Sequence, residues 1–67
     1  MNGEVWFKGF KLKEVRKGKN YTQEELGEVV KVSGSYISKI ENGGQMPSMK
    51  VLNKITEALG VSPKDFF

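Results

Sequence analysis

Two helix start signals stand close together in this sequence, and their spacing constrains the fold more than any other feature. Thr22 is followed three residues later by Glu25, which is the capping-box pattern at the start of a helix. Ser33 can cap a second helix, and Asn42-Gly43-Gly44 would end it. Only residues 31–33 remain to join the two helices. We interpret so short a connection as a steep crossing, the arrangement of a helix-turn-helix, and not as an antiparallel hairpin.

A glycine in the first of these two helices supports the crossing. Gly27 is expected to cost about 1 kcal/mol relative to alanine inside a helix, a cost that close approach of a neighbouring helix would explain. Val32 in the connection, with Ile37 and Ile40 on the following helix, would then fill the angle between the two.

The rest of the chain predicts further short helices and no strand, so we expect an all-α, compact bundle of five short helices in one domain over residues 1–67. The first helix would end near Asn20, the fourth would begin at Pro47-Ser48 and end at Gly60, and a last short turn would begin at Ser62-Pro63. The apolar positions expected to face the core are Leu12, Val15, Leu26, Val29, Val30, Ile37, Ile40, Met49, Leu52, Ile55, Ala58 and Leu59.

Composition argues against catalysis. The 67 residues include neither cysteine nor histidine, which removes disulfides, thiolate zinc sites and the commonest general base. No apolar run approaches the roughly 18 residues of a membrane span, and the N-terminus does not have the pattern of a secretory signal. We therefore expect a cytoplasmic protein that is not an enzyme, does not enter a membrane and needs no cofactor or metal.

The net charge of +3 is unevenly distributed along the chain. A basic stretch near the N-terminus contains a single acid, Glu14. Charge alone leaves two explanations open, a solvated surface and a surface that binds a polyanion. The basic residues of this stretch are Lys8, Lys11, Lys13, Arg16, Lys17 and Lys19.

Residues 10–67 resemble the Cro/repressor-type (XRE-type) helix-turn-helix family. The segments "TQEEL", "SYISKIENG" and "ALGVS" match its pattern, which opens at Gln23 and continues to about residue 42. In this pattern Gly27 occupies the small position and Val32 the apolar position of the turn. Ile37 and Ile40 occupy the two apolar positions of the recognition helix. The resemblance implies a lambda-repressor-like domain in which the second and third helices form the helix-turn-helix. It also implies a homodimer that binds double-stranded DNA.

The helical wheel of the third helix is compatible with that role. With the two isoleucines inward, a compact polar face points outward, although any surface helix has a polar outer face. The resemblance assigns a phosphate contact and a brace of the recognition helix to Gln23, and a second phosphate clamp to Asn42 with the Gly43-Gly44 amides and Gln45. The candidate DNA-binding residues are Gln23, Ser33, Gly34, Ser35, Tyr36, Ser38, Lys39, Asn42 and Lys17.

The family pattern also pairs Arg16 with Glu41 in a partly buried salt bridge between the first and third helices. We expect this pair to be structural.

Three departures from the family pattern bear on the fold. Lys31 stands where the family usually has glycine in a left-handed turn, which predicts strain there. Gly34 stands where many relatives have a long polar side chain that contacts a base, so we expect few base contacts and more selectivity from DNA shape.

Lys8 stands where the family usually has an apolar residue of the first helix. The surplus aromatic residues Trp6, Phe7 and Phe10 are expected to extend the core or cover the last helix, and a dimer partner is expected to bury Met46, Phe66 and Phe67.

The sequence thus predicts a sequence-specific transcriptional regulator, a repressor or a controller, that binds a palindromic operator through the third helix. The alternative is an antitoxin-like or other protein-interaction module of the same fold, and a toxin or a polymerase as partner stays open.

Overall fold

The computed structural model describes residues 7–67 and contains four α-helices followed by one 3-10 helix. Their bounds are α1 Gly9–Gly18, α2 Gln23–Val30, α3 Gly34–Glu41, α4 Met49–Leu59 and the 3-10 helix Pro63–Phe66. No strand occurs in this part of the chain, which confirms the all-α class.

The prediction of a fifth α-helix is wrong, because Pro63–Phe66 form only a single 3-10 turn. The N–H of Asp65 donates to the carbonyl of Ser62 (2.9 Å) and the N–H of Phe67 to that of Lys64 (3.2 Å). These bonds join residues three apart, which is the 3-10 pattern and not the α-helical one. The bundle therefore has four α-helices rather than five.

The predicted helix starts and stops are present. In α2 the N–H of Glu25 donates to Thr22 Oγ1 (3.0 Å), and the N–H of Thr22 donates back to the Glu25 carboxylate (2.9 Å). The side chains of Ser33 and Ser48 accept from backbone N–H groups in the first turns of α3 and α4. Asn20 has φ 65°, the left-handed conformation expected of a residue that ends α1.

The core lies where the four α-helices and the 3-10 helix meet, and two of the predicted core positions are wrong. Val29 is 51% exposed, because the buried stripe of α2 is centred on Leu26, Gly27 and Val30 and leaves position 29 beyond its edge. Met49 is 69% exposed, since it is the first residue of α4 and the buried face begins one turn later. The buried apolar residues are Leu12, Leu26, Val30, Ile37, Ile40, Leu52, Ile55, Leu59 and Phe66.

The first turn of α2 lies across α3 and not beside one end of it. Gln23 contacts Glu41, the last residue of α3, whereas its neighbour Glu24 lies against Gly34, the first residue of α3. In an antiparallel hairpin the start of α2 would meet only the end of α3. The predicted helix-turn-helix crossing is therefore present.

Gly27 lies at a close contact, as predicted, and its neighbours are backbone atoms of the turn and of the first residue of α3. A Cβ atom at this position would stand 2.5 Å from the carbonyl oxygen of Val32 and 3.2 Å from the carbonyl carbon of Ser33. Both neighbours are backbone atoms, which cannot rotate away as a flexible side chain would. The glycine is thus required by the close approach of the turn.

The aromatic residues at the two ends of the described chain pack together. Phe7 packs against Phe66 at 5.3 Å between ring centroids, with the ring planes tilted by 41°, and meets Phe67 edge-on at 5.7 Å. Phe7 therefore covers the last turn as expected, whereas Phe10 is 61% exposed and does not extend the core. Phe66 is fully buried by its own chain, so the expectation that a dimer partner buries it is wrong. The expectation for Trp6 lies outside the described residues.

The left-handed conformation predicted in the turn is present. Lys31 has φ 68° and ψ 41°, and the following N–H, that of Val32, donates to the Gly27 carbonyl at 2.8 Å. A left-handed conformation costs a non-glycine residue about 1 to 2 kcal/mol. The turn therefore holds strain that a glycine would not have.

We predict that Gly27→Ala destabilises the fold. Overpacking against backbone typically costs about 1 to 3 kcal/mol and exceeds the gain in helix propensity, which is at most about 1 kcal/mol. Chemical denaturation measures the free energy of unfolding. Gly18→Ala is the matched control, because a Cβ atom there meets nothing within 4 Å. Equal stability of the two variants would show that the turn does not need the glycine.

We predict that Lys31→Gly raises the free energy of unfolding by about 0.5 to 1 kcal/mol, since relief of backbone strain exceeds the added entropy of the unfolded chain. Thermal denaturation measures the effect. Asn20→Gly is the control at the other non-glycine residue of positive φ, and asparagine tolerates that conformation, so its gain should be smaller. A loss of stability in Lys31→Gly would mean that the lysine side chain stabilises the turn.

Candidate nucleic-acid interface

A surface cleft of about 620 Å³ lies between the first turns of α2 and α3, and we call it the α2–α3 cleft. It brings together five of the predicted DNA-binding residues, together with two residues of the α2 start that were not predicted as contacts. Its lining consists of Thr22, Gln23, Glu24, Ser33, Gly34, Ser35 and Ser38.

The outer face of α3 has the predicted composition. Ser35 and Lys39 are exposed, Ser38 is half-buried, and Tyr36 is half-buried with its side chain packed against the core. Lys39 lies in the last turn of α3, where a cation stabilises the negative end of the helix dipole. The face therefore combines small hydroxyl side chains with one amine.

A polar network ties this face to α1. Arg16 Nε donates to Glu41 Oε2 at 2.6 Å and Arg16 Nη2 to Glu41 Oε1 at 3.2 Å, with both side chains buried. Arg16 Nη1 donates to the backbone carbonyl of Tyr21 at 2.6 Å, a contact that the sequence did not indicate. The predicted Arg16–Glu41 ion pair is thus present, and the loop before α2 is part of it.

Gln23 belongs to the same network. Its Nε2 donates to Glu41 Oε1 at 3.0 Å, which connects the first residue of α2 to the last residue of α3. This bond is the brace that the resemblance implied. Nε2 carries a second N–H, which remains for a further acceptor.

The end of α3 differs from the expected phosphate clamp. The N–H of Gly43 donates to the carbonyl of Ile40 (3.1 Å), and the N–H of Gly44 donates to that of Lys39 (2.9 Å). These amides close the helix end and are not directed at an anion. Asn42 and Gln45 remain exposed, so their side chains are what this segment offers to a phosphate.

The basic residues of α1 lie apart from the cleft. Lys17 is exposed in the last turn of α1, and Lys8 is exposed as the residue that precedes the helix. Lys11 pairs with Glu14 at 3.9 Å across an exposed turn of the same helix. None of these lysines lines the cleft.

Sequence reasoning missed both Thr22 and Glu24 as cleft residues, and the less expected of the two is Glu24. It was assigned only to the helix dipole, yet its side chain lies over Gly34. The absent side chain at position 34 was the available signal, because a glycine at the start of a helix leaves room for a neighbour.

Within residues 7–67, no helix is both long and apolar enough to cross a membrane.

Residues 12–66, more than four-fifths of the chain, match the family model described as Helix-turn-helix. The chain is 41% identical over 58 residues to Control protein C.BamHI of Bacillus amyloliquefaciens, covering 85% of this chain and 72% of the relative. It is similar in structure to the restriction-modification controller protein C.AhdI of Aeromonas hydrophila (TM-score 0.82, 30% identity, 88% and 89% of the two chains covered). It is also similar to the P22 c2 repressor in complex with a synthetic operator (TM-score 0.87, 28% identity, 94% and 96% covered).

We predict that Glu41→Gln lowers the free energy of unfolding by about 3 kcal/mol, because the buried Arg16 guanidinium loses its counter-charge. Thermal denaturation measures the change. Glu14→Gln is the control at the exposed Lys11–Glu14 pair and should change stability by no more than about 0.5 kcal/mol. An unchanged midpoint in Glu41→Gln would remove the ion pair from any account of stability.

Proposed function

The chain belongs to the Cro/repressor-type (XRE-type) helix-turn-helix family, and from this premise we propose that it is a sequence-specific transcriptional regulator that binds double-stranded DNA. Relatives named as controller proteins and a repressor solved in complex with a synthetic operator support the proposal. Binding of this kind requires no bond to be made or broken, so the protein would act in the cytoplasm as a binding protein and not as an enzyme.

The observation that carries the proposal is the outer face of α3. The helix crosses α2, and its outer face is not covered by any other helix of the described chain. An α-helix fits the major groove of B-DNA, where each base pair presents a distinct pattern of hydrogen-bond donors and acceptors. Small side chains on such a helix allow its backbone to approach the base edges closely.

The side chains of α3 would contribute the base contacts. Lys39 would donate to guanine O6 and N7, the acceptors that the major groove presents at guanine. Ser35 and Ser38 would donate or accept according to the base they meet. Tyr36 would contact a thymine methyl group or a phosphate at the edge of the face.

Phosphate contacts would position α3 in the groove. Gln23 stands at the start of α2, where unpaired backbone N–H groups and the helix dipole favour an anion, and its second Nε2 proton is available. Lys17 and the Asn42 side chain would add contacts to the backbone on either side. Such contacts fix the register of the protein and make affinity depend steeply on salt.

A single α3 reads too few base pairs for a specific site, so we propose that the regulator binds as a homodimer. Two copies of α3 would enter successive major grooves about 34 Å apart on a palindromic operator. Control through the concentration of the regulator or through a partner protein is consistent with the proposal.

We predict that Lys39→Ala combined with Ser35→Ala weakens preference for the operator, with a loss of roughly 10- to 100-fold in specific affinity. Fluorescence anisotropy on the upstream promoter region measures it, against a scrambled duplex of equal length. Lys17→Ala should instead weaken binding to both duplexes and reduce the slope of log affinity against log salt by about 1.

Lys64→Ala is the control, because this exposed lysine lies on the 3-10 helix and not on α2 or α3. It should leave operator preference unchanged. If the double variant keeps its DNA affinity and instead loses a protein partner, the chain is a protein-interaction module and the regulator proposal is wrong.

A further inference from the structure

The side chain of Glu24 occupies the place beside α3 where a side chain of Gly34 would lie. A Cβ atom built on Gly34 would stand 2.9 Å from Glu24 Cγ and 3.2 Å from Glu24 Cα. Both residues line the α2–α3 cleft. The carboxylate beside the first turn of α3 in this cleft therefore belongs to α2.

Within residues 7–67, no side chain or backbone group pairs with the carboxylate of Glu24. The salt bridges among residues 7–67 are Lys11–Glu14 and Arg16–Glu41, and the side-chain hydrogen bonds of the same residues do not involve Glu24. Its neighbour Glu25 is, by contrast, held in the capping box. Glu24 is exposed and lies in the first turn of α2, where the helix dipole stabilises an anion.

We infer that Glu24 is a specificity-determining residue that selects cytosine in each half-site, an inference that rests on the proposed DNA-binding function. A carboxylate only accepts hydrogen bonds. In the major groove the donors on base edges are the amino groups of cytosine and adenine. Guanine and thymine present acceptors there and would repel the carboxylate.

Cytosine suits a carboxylate better than adenine does. The adenine amino group lies between two acceptors, its own N7 and O4 of the paired thymine. The cytosine amino group has only one neighbouring acceptor, O6 of the paired guanine, and a C–H group on its other side. An approaching carboxylate therefore meets less repulsion at cytosine. The same negative charge also opposes phosphates, which weakens binding to DNA of the wrong sequence.

Selection of bound duplexes from a random pool, followed by sequencing, tests this inference on the whole chain. The wild type is expected to enrich cytosine at one position of each half-site. Glu24→Ala should reduce that preference by roughly tenfold while leaving the other positions unchanged. Glu24→Gln should shift the same position toward adenine, because an amide side chain pairs with adenine N6 and N7.

Glu28→Ala is the matched control, since it removes the same charge from an exposed position of α2 that does not line the cleft. It should keep the cytosine preference, although affinity for scrambled DNA rises in both alanine variants. If the wild type and Glu24→Ala enrich the same motif, the inference is wrong and the proposed function stands. A wild type that enriches no motif would overturn both. Circular dichroism of each variant confirms that it is folded.

Discussion

The buried pair between Arg16 and Glu41 is the interaction on which the arrangement of the other helices depends. The guanidinium donates to both carboxylate oxygens and to the Tyr21 carbonyl, and Gln23 donates to the same carboxylate. The Arg16–Glu41 pair thus fixes α1, the connection after it, α2 and α3 relative to one another. A buried ion pair adds little net stability compared with apolar packing, but an unpaired partner is strongly destabilising. We therefore regard the network as a device that specifies this geometry.

Close backbone contacts fix the same geometry from the other side. Added Cβ atoms at Gly27 and Gly34 would meet the turn and the first turn of α2. A third contact was not anticipated, because a Cβ atom on Gly9 would meet the carbonyl oxygens of Ile40 and Glu41 at the end of α3. Glycine costs helix propensity at each position. Glycine occurs here where two backbones lie in close contact. These contacts are on the inner side of the helix-turn-helix, and the outer side of α3 remains uncovered.

Features set by neighbouring residues were predictable from the sequence, whereas features set by distant ones were less so. The capping box at Thr22 follows from local chemistry, the left-handed conformation of Lys31 was inferred from the family pattern, and both were predicted correctly. The exposure of Val29 and the burial of Phe66 depend on which other elements pack nearby, and periodicity alone does not contain that information. The place of Glu24 could not be inferred from α2 alone, because it depends on the crossing of α3. The ion pair was predicted only because the family pattern supplied it.

The polar network and the outer face of α3 are made of different residues. We therefore expect the network to determine affinity for DNA in general, and the outer face to determine which sequence is bound. Gln23 is held by Glu41 and Lys17 lies on α1 beside Arg16, so the proposed phosphate contacts depend on the relative positions of three helices. Contacts to phosphates contribute to binding of every sequence, whereas contacts to base edges discriminate among sequences. Loosening the network would thus weaken binding to all DNA alike. Substitutions on the outer face of α3 do not touch the network and would change which sequence is bound. The same scaffold can therefore acquire a new operator without losing its fold.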